Sequence, residues 1–301
     1  MQSIRSIGLA AIGLSLPLFF LRLGDWMLMV PPELFVFGHV AFFLLFTSVL
    51  LFLPPWGSWP YPTRAATAVA IATVAGAVIE LIQPVFGRSA ELGDIWQNFL
   101  GSLAAVAIFA PRGVLRWVLR LLAAALLVLE LYQPSVTLWD RAVARAQFPI
   151  LAAFDTRFEH LRWSAGTPDD SVAAVGSRSL RVTLREGRRY PGTTLRRSFG
   201  DWSGYDALQL SIYLPEEEPL RVTISVRDRD HFPRGGAFHD RFNRNFELEH
   251  GWNTLEIPID EIRNAPRDRT MDLAALTEMA VFTTGLERER VIFVDAVRLK
   301  R

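Results

Sequence analysis

The sequence predicts a multidomain chain, in which an all-α polytopic membrane bundle of five helices precedes an all-β sandwich. Long apolar runs fill roughly the first 132 residues, and short alternating runs begin near Phe154. The first 150 residues carry only 9 of the 32 Lys and Arg residues and 7 of the 31 Asp and Glu residues. We therefore expect a membrane domain at 1–132, an amphipathic linker at 133–152 and a soluble domain at 153–301.

Five apolar runs are each long enough to cross roughly 30 Å of hydrocarbon at about 1.5 Å per residue. They lie at approximately 7–23, 35–53, 65–86, 94–110 and 113–131. Arg5 precedes the first run, as in a signal peptide, but no small-x-small cleavage site follows it. The first run is therefore expected to be a retained helix.

Arginines in the short loops predict the orientation. Four of them fall on one side of the predicted membrane and two on the other; these are Arg5, Arg64, Arg112 and Arg116, against Arg22 and Arg88. Positive charge favours the cytoplasmic side, so five crossings would place the soluble domain outside. The expected localisation is the cell inner (cytoplasmic) membrane, as a multi-pass protein with an extracytoplasmic C-terminal domain.

Polar residues interrupt three successive apolar runs, and the topology places them together in the outer leaflet. They are His39, Glu80, Gln83, Arg88, Asp94, Asn98 and Gly101. Glu80 and Gln83 are spaced i, i+3, and the last three are spaced i, i+4, i+7, so each set shares one helical side. Ionisable groups in hydrocarbon are costly and are therefore functional candidates.

Three interpretations of this polar cluster stay open. Its members can hydrogen-bond three helices together, because lipid offers no competing partners. They can also bind a polar headgroup or another envelope ligand. In the third interpretation, His39 performs acid–base catalysis or relays protons with Glu80 or Asp94.

The stretches "GHVAFF", "IELIQ" and "GRSAELGDIWQNFLGS" resemble the VanZ-like family over roughly residues 20–132. Members of that family carry an Asp-Lys pair just before the His, where this chain has Phe35 and Val36. The resemblance implies a role at the cell envelope, linked to glycopeptide-antibiotic susceptibility, but it implies no defined reaction.

Period-two runs separated by Gly, Pro and Asp turns predict an antiparallel sandwich in the C-terminal half. The stretch "VRDRDHFPRGGAFHDRFNRNFELEHGWNTLEIPID" resembles the galactose-binding-like jelly rolls of carbohydrate-binding modules. It implies a glycan partner, either an envelope polysaccharide or a lipid-linked glycan. The chain has no Cys, which excludes disulfides and thiolate metal sites, and no basic patch indicates nucleic acid.

A sugar site needs aromatic faces and planar polar groups, and one segment of the soluble half supplies both. The glycan-binding candidates are Asp230, His231, Phe232, His239, Asp240, Arg241, Asn243 and Trp202. The alternative is that Trp202 fills the core and the charges form a solvated loop. The jelly-roll resemblance also implies a structural calcium, for which Asp155 and Asp295 are the candidates; no other cofactor is expected.

These observations predict a membrane protein that displays a glycan-binding domain outside the cell and contacts membrane lipid and an envelope glycan. One alternative is a membrane-embedded enzyme that uses His39, Glu80 and Asp94 on a lipid-linked glycan precursor. Another is a structural membrane anchor for the sandwich.

Overall fold

A computed structural model describes residues 2–20, 33–53, 56–87, 89–196 and 200–301. The chain divides into two compact units, Met1–Leu138 and Trp139–Arg301. The first is helical and the second is built mainly of β-strands. Each is described by itself below.

Five α-helices account for most of the first unit. They are α1 (Gln2–Ser15), α2 (Glu33–Leu50), α3 (Tyr61–Ile82), α4 (Leu92–Phe109) and α5 (Val114–Gln147), with 3₁₀ turns at Leu16–Phe19, Trp56–Ser58 and Gln83–Phe86. Among the described residues, three segments are long and apolar enough to cross a membrane: Glu33–Leu50, Tyr61–Phe86 and Leu92–Phe109. These segments correspond to three of the five expected spans, those at about 35–53, 65–86 and 94–110.

The helices at the first and fifth predicted spans, α1 and α5, differ in length from the apolar runs. Helix α1 has 14 residues, which is too short to cross hydrocarbon by itself. Helix α5 has 34 residues and continues past Pro134 through the predicted linker as far as Gln147. The boundary between the two units falls inside this helix, after Leu138.

Small residues allow α2, α3 and α4 to pack closely. A Cβ atom added to Gly101 would lie 2.3 Å from the carbonyl oxygen of Val40, and one added to Gly76 would lie 2.7 Å from Nδ2 of Asn98. Ala68 and Ala72 of α3 are also fully buried. Close approach of the backbones brings the polar side chains of the three helices to one place.

Among its described residues, the second unit contains the end of α5, ten strands, the short helix α6 (Ile259–Arg263) and 3₁₀ turns at Glu159–Arg162 and Phe238–Asp240. The strands are β1 (Ile150–Ala152), β2 (Thr167–Asp169), β3 (Ser179–Leu184), β4 (Gly192–Arg196), β5 (Ala207–Leu214), β6 (Leu220–Asp228), β7 (Phe242–Leu248), β8 (Gly251–Pro258), β9 (Leu276–Phe282) and β10 (Arg290–Lys300).

Two antiparallel sheets form the predicted sandwich. The first has the order β2-β3-β10-β5-β8, with β1 also paired to β10, and the second has the order β4-β9-β6-β7. Alternation along β6 is clear, because Val222, Ile224 and Val226 are buried in the core while Arg221 and Arg227 point to the opposite side. The second sheet therefore has an outer face that carries polar side chains.

Candidate functional site

The outer face of the second sheet is the side that points away from the hydrophobic core. Strand register places these residues on it: Thr194, Arg196, Thr223, Ser225, Arg227, Asn243, Asn245, Glu278, Ala280 and Phe282. Arg227 and Glu278 form an ion pair of 3.2 Å, and the Thr223 hydroxyl donates to Asn245 Oδ1 over 2.8 Å. This face offers several kinds of hydrogen-bonding groups within one surface.

Some buried polar atoms without a hydrogen-bond partner lie on this face. Among the described residues they include Oγ of Ser225, Oδ1 of Asn243 and the Nε atoms of Arg227 and Arg241. Arg241 directly precedes β7. Buried polar groups in folded proteins are normally paired, so such a group of exceptions needs an explanation.

Exposed aromatic rings border the same face, and each is paired with an arginine. The guanidinium carbons of Arg227 and Arg241 lie 5.3 and 5.4 Å from the ring centroids of Phe232 and Phe238, which are 60% and 69% exposed. Tyr190, 55% exposed, packs edge-on against Phe282 at 5.5 Å. Cation–π contacts of this kind hold exposed rings in place for stacking.

The outer face is electropositive around Arg241. Burial lowers the pKa of the Arg241 guanidinium, the positive charge of Arg227 lowers that pKa further, and Tyr190 opposes the shift. Arginine stays charged in proteins despite such shifts. Two like charges therefore face the same surface.

The glycan-binding candidates from Asp230 to Asn243 do not all lie in one place. Phe232, Arg241 and Asn243 belong to the outer face or its border, whereas His231 and Asp240 enter a separate ionic network. Asp230 and His239 use their backbone carbonyls, which accept hydrogen bonds from the amides of Arg234 and Arg267, and the His239 side chain is exposed. Trp202 is fully buried in the core. Its ring is not available to a glycan, which corrects that part of the expectation.

The ionic network is centred on Arg269. Its Nε and one terminal nitrogen donate to the two oxygens of Asp240 over 2.7 and 2.9 Å, and both terminal nitrogens donate to Asp228. The Asp272 amide also donates to Asp228, and His231 Nδ1 lies 3.3 Å from Asp240 Oδ2. All four carboxylate oxygens of Asp228 and Asp240 thus accept hydrogen bonds from Arg269, and we assign the network a structural role.

The network shifts the pKa values of its members. Burial would raise the pKa of Asp228, but the hydrogen bonds from Arg269 and the Asp272 amide outweigh it and leave that pKa below its usual range. Hydrogen bonds from Arg269 also lower the pKa of Asp240, against a smaller effect of burial. Both aspartates raise the pKa of Arg269.

The two calcium candidates, Asp155 and Asp295, interact electrostatically in the sandwich unit. Burial raises the pKa of Asp295, three backbone amides oppose the shift, and the negative charge of Asp155 adds to it. The oxygens of Asp295 accept from the amides of Ala174, Val175 and Ala296. Ca²⁺ takes about six to eight oxygen ligands, so a calcium site at these two carboxylates stays a prediction.

The helical unit assembles the predicted polar cluster from three helices. His39 Nδ1 lies 2.9 Å from Asn98 Oδ1, and His39 Nε2 lies 3.3 Å from Asp94 Oδ2. Glu80 Oε2 accepts from the amide of Glu91 over 3.1 Å. Both polar atoms of the buried Gln83 amide lack a hydrogen-bond partner in the part of the chain that the structure describes. Arg88, the remaining charged candidate, lies outside the described residues.

His39, Glu80 and Asp94 have the composition of a metal-binding group. One ligand atom from each lies within 4.8 Å of the other two. The contact from His39 Nδ1 to Asn98 Oδ1 is the kind of outer contact that orients a ligating imidazole. The described residues could thus hold a proton or a divalent cation at Nε2.

Several residues of the outer face were missed by the sequence reasoning, including Tyr190, Ser225, Arg227 and Asn245. The alternation in "LRVTISVRD" already separates the outward residues of β6 from its core residues. The pattern does not say which strands lie beside β6. That pairing alone brings Ser225 beside Asn243.

Comparisons with known proteins find no family model and no curated protein that match the chain. The resemblance to the VanZ-like family therefore gains no support from them. Among solved structures, a family 11 carbohydrate-binding module from Clostridium thermocellum, in complex with a β-1,3-1,4-mixed-linked tetrasaccharide, is 17% identical, with a TM-score of 0.36. That match covers 50% of this chain and 94% of the module.

Two further solved structures also match the chain. An exo-β-agarase is 13% identical with a TM-score of 0.40, and the match covers 50% of this chain but only 24% of the agarase. A family 28 module specific for non-crystalline cellulose is 16% identical with a TM-score of 0.34, and the match covers 50% of this chain and 92% of the module. At these TM-scores the likenesses identify no ligand for this chain.

Proposed function

We propose that the sandwich binds a glycan on the outer face of its second sheet. The supporting observation is the group of buried, unpaired polar atoms on Ser225, Asn243, Arg227 and Arg241. A sugar hydroxyl both donates and accepts hydrogen bonds, so neighbouring hydroxyls can pair with the half-buried side chains of Arg227, Arg241 and Asn243 after these turn toward the ligand, whereas Ser225 is fully buried. Each buried group left unpaired costs about 1–3 kcal/mol, and a ligand that pairs it recovers that cost.

The exposed rings complete the site. Phe232 and Phe238 flank the polar atoms, and the apolar face of a pyranose ring can stack on either of them. Arginine contacts limit the motion of these rings before a ligand arrives, which lowers the entropy lost on binding.

We further propose that the helical unit anchors this domain in the cell inner membrane, with the sandwich on the extracytoplasmic side. The three apolar segments support crossing of a membrane. The orientation rests on the five-span arrangement predicted from the sequence, because three crossings alone would place three of the six loop arginines on each side. A link to glycopeptide-antibiotic susceptibility rests on the VanZ-like resemblance alone.

Glycan binding can be tested by calorimetry on the full chain, purified in a detergent without a sugar headgroup. Asn243→Ala should weaken binding of an envelope polysaccharide about 5- to 150-fold, because a buried hydrogen-bonding group is lost. Phe232→Ala should also weaken it. Trp252→Ala is the matched control, since this ring is partly exposed on β8 of the other sheet.

Two outcomes would contradict the assignment. One is the absence of binding to every envelope polysaccharide tried. The other is equal affinity of the wild type, Asn243→Ala and Phe232→Ala.

A second candidate function is supported by the surroundings of His39. If Nδ1 donates its proton to Asn98 Oδ1, Nε2 faces the Asp94 carboxylate at 3.3 Å. A lone pair facing a carboxylate is repulsive, so a proton or a cation belongs between them. In this alternative the cluster acts as an acid–base site on a lipid-linked glycan precursor.

Glu80→Gln separates the alternatives for the cluster. The substitution keeps the shape of the side chain and much of its hydrogen bonding, but it carries no proton. An acid–base site should lose about 10²- to 10⁴-fold in turnover of the precursor, whereas a scaffold or binding site should tolerate the change. Unchanged turnover would exclude Glu80 from proton transfer.

A further inference from the structure

The sandwich unit contains a cavity of about 400 Å³ beside the passage from β3 to β4. Its polar walls are formed chiefly by Arg181, Arg185, Arg188, Thr167, Thr183 and Tyr190. No Asp or Glu is among the residues that line it. The cavity therefore combines three guanidinium groups with hydroxyl groups and no lining carboxylate.

Sequence and register explain why these charges converge. Along β3, Leu180, Val182 and Leu184 enter the core, so Arg181 and Thr183 point to the opposite side of the sheet. The "REGRRY" segment that follows supplies Arg185 and Arg188, both exposed.

Within the described part of the chain, none of the three arginines forms an ion pair. Arg181 donates only a long hydrogen bond, 3.4 Å, to Thr183 Oγ1. The nearby Asp169 carboxylate accepts from the amide and hydroxyl of Ser171. Many other arginines of this unit do pair with carboxylates, Arg162, Arg244 and Arg288 among them. The positive charge of Arg181 also lowers the pKa of Asp169, after the larger effect of the Ser171 hydrogen bonds, so Asp169 is a weak electrostatic partner of the cavity. Among the described residues, no carboxylate forms an ion pair with any of the three guanidinium groups.

We propose that this cavity binds the anionic substituent of an acidic polysaccharide, such as the carboxylate of a uronic acid. A planar guanidinium pairs with a carboxylate through two parallel hydrogen bonds, and several guanidinium groups can share one anion. The inference rests on the proposed glycan binding and names the class of glycan.

Tyr190 connects the cavity with the outer face. Its ring lines the cavity and also packs against Phe282 of the outer face. A polysaccharide that stacks on the outer face can therefore continue into the cavity with its next charged residue. Arg241 of the outer face, which forms no ion pair among the described residues, favours the same sign of ligand charge.

The test compares polygalacturonate with its fully methyl-esterified form, which has the same backbone without the charges. Calorimetry on the full chain, in a detergent without a sugar headgroup, should show at least about tenfold tighter binding of polygalacturonate at low salt. The difference should shrink in 1 M salt, where the Debye length is about 3 Å.

Two double variants test whether the preference for polygalacturonate arises at the cavity. Arg185→Gln combined with Arg188→Gln should remove most of the preference for polygalacturonate and leave binding of the esterified polymer unchanged. These side chains are exposed, so folding should be retained. Arg263→Gln combined with Arg288→Gln is the matched control, because it removes the same charge from exposed arginines elsewhere in the unit.

The outcomes distinguish this proposal from the preceding one. If both polymers bind equally and Phe232→Ala weakens both, the acidic class is wrong while glycan binding stands. Equal loss of preference in the control variant would also overturn the cavity assignment. If inorganic phosphate binds at the arginines and neither polymer binds, the cavity is a free-anion site and the acidic-glycan proposal fails, whereas the titration with envelope polysaccharides still decides the proposal for the outer face.

Discussion

Two buried polar clusters, one in each unit, differ in how completely their atoms are paired. In the sandwich, Arg269 lies between Asp228 and Asp240 and contacts both oxygens of each carboxylate. In the helical unit, the amide of Gln83 and Nδ2 of Asn98 are buried without a hydrogen-bond partner among the described residues. Both clusters contain similar residue types, which makes them look alike in the sequence.

The comparison separates a scaffold from a candidate site. A saturated network gains nothing from a ligand, because every strong donor and acceptor is already used. A partly paired cluster carries a desolvation cost that a ligand, a proton or a cation can reduce. By this criterion the outer face of the second sheet belongs with the helical cluster, and the Arg269 network does not.

The largest effect is expected from removing the centre of the saturated network. Arg269→Ala leaves the fully buried Asp228 and the mostly buried Asp240 without their cation. Loss of one partner of a buried ion pair typically costs about 3–5 kcal/mol. Chemical unfolding, monitored by the signal of the sandwich unit, should show this loss at neutral pH.

Arg263→Ala is the control, because Arg263 and its partner Asp260 are both exposed. Such a pair contributes about 0–1 kcal/mol. Equal effects of the two substitutions would mean that the Arg269 network is not a scaffold.

Acid should weaken the same network. The folded-state pKa values of Asp228 and Asp240 lie below their usual values, so their contribution is present above about pH 4 and is lost as pH falls through the folded values. The free-energy difference between wild type and Arg269→Ala should therefore narrow below about pH 4. A difference that stays constant down to pH 2 would contradict the ionic origin.

A smaller effect is expected from tightening the helix contact beneath the polar cluster. Gly101→Ala places a Cβ atom 2.3 Å from the Val40 carbonyl oxygen, which α2 can relieve only by moving away. Overpacking of this kind costs about 1–3 kcal/mol. Thermal unfolding in detergent should show a lower Tm.

Gly93→Ala is the matched control in the same helix, since a Cβ atom there has no neighbour within 4 Å. This variant should keep the wild-type Tm or raise it slightly, because Ala favours helix. A larger loss for Gly93→Ala than for Gly101→Ala would contradict the close approach of α2 and α4.

Sequence patterns predicted the elements better than the contacts between them. Alternation predicted strands such as β6 and β10, because burial of one side of a strand is a local property. The partner of Asp240 is Arg269, 29 residues away, and only the folded chain brings them together. In the helical unit the spacing of polar residues did predict a contact between elements, since His39, Glu80, Asp94 and Asn98 lie together.

Two misjudged features have physical reasons. Trp202 was named as a glycan-binding candidate although a core position was favoured for it, since a large apolar ring suits both places, and it is fully buried. Helix α5 was expected to end with its apolar run near residue 131, but backbone hydrogen bonds continue an α-helix whether its side chains are apolar or charged. The helix therefore extends to Gln147.

The smallest effect concerns the carboxylates of Asp155 and Asp295. Among the described residues no cation forms an ion pair with them, unlike the carboxylates of the Arg269 network. If Ca²⁺ bridges them, a free concentration ten times its Kd should stabilise the sandwich by about 1.4 kcal/mol. Asp155→Asn should abolish this increase, because it removes one anionic ligand while Oδ1 can still accept from the Ser177 amide. Asp170→Asn is the control, and it should respond to calcium like the wild type. The measurement is thermal unfolding of the full chain with calcium, with magnesium and with a chelator. A shift of equal size with magnesium, or an unchanged calcium response in Asp155→Asn, would show that the pair does not form a calcium site.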